Sequence, residues 1–107
     1  MPHMAAEWGN IMSQASLGSF NGTTVAGENM LSVFRELELQ HNPNCILNFT
    51  NMTLRKLSMA CPAGTKVSIN GREIVLVTGI FELGYDQVDI SSLVFSEAVE
   101  LNAYYLY

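Results

Sequence analysis

Through the second half of the chain, apolar and polar residues alternate in short runs, and turn residues close each run. A period of two puts successive side chains on opposite faces of a strand, so the pattern predicts antiparallel β-structure. Asn70-Gly71 is its clearest reference point. A two-residue type I′ turn needs both central residues at φ > 0, which Asn and Gly tolerate, and it fixes the register of the strands it joins. Ile69 then faces Arg72, Val67 faces Ile74 and Thr65 faces Leu76, while Ser68/Glu73 and Lys66/Val75 take the other face. Val67, Ile74 and Leu76 are core candidates in this register.

The same period predicts a hairpin upstream. Cys45, Leu47 and Phe49 share one face, and Leu57, Met59 and Cys61 answer them after a polar turn centred near Thr53. Downstream, Thr78-Gly79 breaks the run, I-F-E-L supplies a short strand and Gly84-Tyr85-Asp86 turns again. Val88 and Ile90, then Leu93 and Phe95, continue a strand whose face changes at a bulge or bend near Ser91-Ser92. Leu101, Ala103, Tyr105 and Tyr107 alternate with Asn102, Tyr104 and Leu106 in a last strand that could close the sheet.

A helical period occurs once. Met30, Val33, Phe34 and Leu37 recur at i, i+3, i+4 and i+7 behind a polar Glu28-Asn29 start, which predicts a short amphipathic helix ending before Pro43. The competing reading is a strand from Phe34 to Leu39. Residues 1–27 read as an arm carrying one strand, with residues 1–3 resembling a cloning remnant. Its larger apolar residues, Trp8, Ile11, Met12, Leu17 and Phe20, need cover from the core or from a neighbouring subunit. Residues 28–107 then form a single domain. The expected fold is mainly β, an antiparallel β-sandwich of jelly-roll-like kind with one short helix.

Composition narrows the partners. The chain has 107 residues, enough for one core, with 49% apolar and only 14% charged residues, which leaves an unusually uncharged surface. A net charge of −5 and no Lys/Arg cluster give no footprint for nucleic acid or anionic lipid. No apolar run is long enough to span a bilayer, and no basic-then-apolar segment reads as a signal peptide, so neither membrane nor secretory export is expected.

Little in the chain selects a reaction. Cys45 and Cys61 match no CxxC spacing and are too few for a metal site; they are either free thiols or, in the hairpin register above, a cross-strand disulfide. Three sequons begin at Asn21, Asn48 and Asn51, which matter only in a secretory pathway and otherwise read as turn chemistry. His41 has no motif supplying a nucleophile and an orienting acid, and reads as a solvated loop histidine. The acidic pairs Glu36/Glu38, Asp86/Asp89 and Glu97/Glu100 read as solvated faces. The glycines at 64, 79 and 84 are turn glycines rather than a phosphate loop. No enzyme, metal or cofactor is expected.

The run P-A-G-T-K-V-S-I-N-G-R-E-I, then G-I-F-E-L, V-D-I-S-S-L-V-F and the tyrosine-rich end, resembles small structural proteins encoded in the virion modules of phages and prophages of Gram-positive bacteria. The resemblance extends over residues 45–107. It implies a non-catalytic component of a tail, baseplate, fibre or head decoration, assembled in the host cytoplasm into a symmetric oligomer in contact with other virion proteins, and it carries over no site motif. Trp8, Ile11, Phe20, Tyr104, Tyr105 and Tyr107 are the interface candidates on this reading. Two alternatives come from other classes. The aromatics Tyr85 and Tyr104 could stack on a host surface glycan, or the acidic chain could mask a basic groove of a host protein as a small inhibitor.

Overall fold

Among the described residues the alternation becomes seven strands in two antiparallel sheets. The structure, a computed structural model, describes residues 15–84 and 87–107. In chain order its elements are β1 (Leu17–Thr23), α1 (Met30–His41), a 3-10 turn (Ile46–Asn48), β2 (Lys56–Ala60), β3 (Thr65–Ile69), β4 (Arg72–Leu76), β5 (Ile80–Leu83), β6 (Leu93–Phe95) and β7 (Glu100–Leu106). One sheet has the strand order β1-β7-β2-β5, the other β4-β3-β6. The chain is mainly β, with two antiparallel sheets and one helix in a sandwich-like arrangement, as expected from the sequence.

The Asn70-Gly71 turn has φ of 51° and 82° at its two central residues. The β3–β4 register it sets pairs Thr65 with Leu76, Val67 with Ile74 and Ile69 with Arg72, as the turn chemistry requires. Val67 and Leu76 are buried, and Ile74 packs against the core from a half-buried position. The Asn70 side chain does more than tolerate the turn. Its Oδ1 accepts from the Ser91 and Ser92 backbone N–H groups and from the Ser91 hydroxyl, while its Nδ2 donates to the Asp89 carbonyl at 2.9 Å. That explains why the strand run breaks at Ser91-Ser92: these N–H groups serve a turn on the neighbouring strands.

The helix forms where its period predicts. Asn29 caps it in an extended conformation, with Oδ1 accepting from Leu31 N at 3.1 Å, and the same oxygen accepts from Leu93 N at 3.0 Å. One capping side chain thus ties α1 to β6. Met30, Leu31 and Phe34 face inward from the helix, and Asn42 ends it one residue before Pro43.

The predicted hairpin through residues 45–61 is half right. Leu57 and Met59 are buried on β2, which pairs with β7 and β5. Residues 45–49, however, form no strand; Ile46–Asn48 is a 3-10 turn, Phe49 is 79% exposed and the cysteines remain free thiols. The cause is the competition for backbone carbonyls. Arg35, from the helix, donates to the Leu47 and Thr50 carbonyls at 2.6 and 3.1 Å, which removes them from any ladder. The apolar side chains that close this region are Leu47, Met52 and Leu54, with Leu54 and Ile90 exchanging both backbone bonds at 2.8 Å.

The single strand expected within residues 1–27 is β1, and it pairs with β7 from Leu17↔Leu106 to Thr23↔Glu100. This places β7 between β1 and β2. Leu57, Met59 and Leu101 from one sheet meet Val67, Leu93 and Phe95 from the other in a shared core. Burying side chains of this size contributes roughly 1.5–3 kcal/mol each.

Candidate association surface

Register decides which way each tyrosine of β7 points. Leu101, Ala103 and Tyr105 alternate inward and Asn102 and Tyr104 outward. Tyr105 is 1% exposed. Its ring stacks on Phe34 at a centroid distance of 4.6 Å and an interplanar angle of 13°. Gly18 on β1 lies opposite it, and a Cβ at that position would collide with the Tyr105 ring. The glycine makes the room that the aromatic fills.

The phenol oxygens need acceptors, and the helix supplies one carboxylate for both. Tyr105 donates to Glu38 Oε2 and Tyr107 to Glu38 Oε1, each at 3.0 Å. Burial, and then the adjacent Glu38 carboxylate, push the Tyr105 hydroxyl far above its ordinary value. Burial and then the hydrogen bond to Glu38 raise Tyr107 to about 12. Both phenols are therefore neutral donors.

These placements locate three of the interface candidates, of which Phe20 and Tyr107 are half-buried. Tyr105 is core, Tyr107 is tied to the helix, and Phe20 packs against the core with its ring 5.3 Å from Phe34. Trp8, Ile11 and Tyr85 lie outside the described residues. Among the described candidates Tyr104 stands on the surface, 64% exposed. Its cross-strand neighbours Ser19 and Ser58 are small and polar. A cleft of about 410 Å³ on one side of it is lined by Leu17, Leu37 and His41, and one of about 290 Å³ on the other by Lys56, Ser58 and Glu82.

Two apolar surfaces were not visible as such in the sequence. Ile46 is 66% and Phe49 79% exposed; the 3-10 turn places residues three apart above one another, so the two share a side. Val77 and Ile80, either side of Thr78-Gly79, are the other pair, at 79% and 70%. Period-two alternation assigns Phe49 to the core, and the competing donor Arg35, twelve positions before Leu47 and fifteen before Thr50, is what signals otherwise. Glu38, expected on a solvated face, instead accepts from both phenols; its position four residues after the buried Phe34, on the same helix face, is the signal.

His41 is exposed at the end of the helix. Cys61 is half-buried, and burial raises its thiol. Among the described residues no three His, Cys, Asp or Glu side chains come together as metal ligands, and no helix is long and apolar enough to cross a membrane.

The fold and surface define a small two-sheet β-protein with a tyrosine-backed helix. Comparison with protein-family models, with curated proteins and with solved structures finds no match for it.

Proposed function

We propose that this chain is a non-catalytic structural protein of a phage or prophage particle, which self-associates and contacts other particle proteins. The observation that carries the reading is the dispersal of large exposed apolar side chains over separate places: Ile46/Phe49, Val77/Ile80 and Leu17/Tyr104. An isolated exposed Leu is ordinary, but paired apolar groups on several faces suit a subunit with several neighbours. The low charged fraction of 14% suits the same role, because charged residues are depleted at interface cores. The setting in a particle rests on the resemblance of residues 45–107, with assembly in the host cytoplasm.

The test is mass spectrometry of particles induced from the strain that encodes the chain, with light scattering of the purified protein over a concentration series. A fixed multiple copy number per particle and a defined oligomer support the proposal. Absence from particles overturns the structural role.

A second reading is favoured by Tyr104 itself. An exposed ring flanked by polar neighbours and two clefts is a surface on which a sugar could stack, with Ser19, Ser58 and Glu82 within its cross-strand row. Glycan-array binding that disappears in Tyr104→Ala, with an unchanged unfolding curve, would favour this over assembly. No binding in the parent chain would end it.

A further inference from the structure

We infer that β1 is an open pairing edge, and that it takes a second copy of this chain as an antiparallel strand, joining two four-stranded sheets into one. The inference rests on the self-association proposed above and names the surface and geometry through which it occurs.

Hydrogen-bond phase identifies the free groups. Ser16 and Tyr107 exchange both backbone bonds at 2.9 Å, and Thr24 N donates to Val99 O at 2.8 Å, so the even-numbered positions of this segment face β7. By alternation, Leu17, Ser19, Asn21 and Thr23 aim their N–H and C=O groups away from it. Among the described residues no further strand pairs with β1.

What distinguishes β1 among the described strands is its length without charge or proline: its sequence, LGSFNGT, spans seven residues. The other edges carry the usual safeguards. β5 has four residues and includes Glu82; β4 carries Arg72 and Glu73. β6 has three residues and is covered by the Asn29↔Val94 bridge. A long uncharged edge in an otherwise guarded protein is a template for another strand.

The occupant follows from self-complementarity. Two copies of β1 aligned antiparallel about Phe20 place Leu17 opposite Thr23 and Ser19 opposite Asn21, the register that uses every outward-facing backbone group. No like charges oppose each other in it. Exposed Leu17 and Leu37, which wall the cleft beside Gly18 and Ser19, are the apolar groups an added strand would cover.

The test is light scattering of the full chain over a concentration series, beside Ser19→Pro and Asn21→Lys. Proline at 19 removes a donor that faces the open edge and none that serves β7, so the fold survives it. Lysine at 21 sets like charges near each other across the two-fold. Far-ultraviolet circular dichroism checks both folds. A parent dimer whose dissociation constant rises about tenfold or more in both variants supports the inference. Oligomers unchanged in both variants overturn edge pairing while leaving self-association through another surface standing. A parent monomer at every concentration overturns both.

Discussion

At the scale of single residues, the contact between Gly18 and Tyr105 carries the sharpest consequence. Any Cβ at position 18 enters the Tyr105 ring, which is already fixed by Phe34 and by Glu38. Gly18→Ala should therefore cost about 1–3 kcal/mol through overpacking, measured as a lower urea midpoint at unchanged slope. Glu38 offers a second prediction. Glu38→Ala leaves the buried Tyr105 hydroxyl without an acceptor and should cost about 1–3 kcal/mol, whereas adding Tyr105→Phe to it should recover much of that loss. A double-mutant cycle by urea unfolding reads the coupling directly. The same pair sets a pH dependence. Tyr107 is raised from the ordinary 10 to about 12, so its contribution is fully present below pH 10 and fades as the pH climbs through 12, with Tyr105 acting in the same direction. Urea midpoints taken at rising alkaline pH should fall over that window, and less steeply in Tyr107→Phe.

The β3–β4 hairpin was legible to the register because Asn70-Gly71 admits few turns. For α1 the helical period of Met30 and Phe34, behind the Asn29 cap, prevails over the competing strand through Phe34 to Leu39. Tyr104 outward and Tyr105 inward also followed from alternation, although which tyrosines were surface and which core depended on the helix lying over one face. Residues 45–49 failed because alternation reports only the chain's own preference; the carbonyls of Leu47 and Thr50 were claimed by a distant arginine. Likewise the central place of β7 rests on pairing with β1, a contact no local signal encodes. Asn70 makes a prediction at this scale. Asn70→Gly retains the left-handed turn but removes the bonds to Asp89, Ser91 and Ser92, so it should destabilise by about 1–3 kcal/mol, and amide exchange should accelerate first at residues 91 and 92.

For the molecule as a whole, the two sheets and the helix solve the burial problem while leaving apolar groups on several outer faces. Phe49 is the plainest of these, and because its ring is mostly in water, Phe49→Ser should change unfolding stability by no more than about 0.5 kcal/mol. If the Ile46/Phe49 surface meets a neighbouring particle protein, the same change should reduce incorporation into particles, counted by mass spectrometry. Equal incorporation would remove that surface from the assembly. The pairing of β1 with β7 also imposes a timetable on biosynthesis. Thr23 meets Glu100 across 77 positions of sequence, so a ribosome adding roughly 5–20 residues per second releases β1 several seconds before its partner exists. During that interval the uncharged strand is bare along both margins, and neighbouring nascent chains on one message carry the same segment. Slower, cooler expression, which thins the population of half-made chains, should therefore raise the soluble yield more than any change of buffer after lysis.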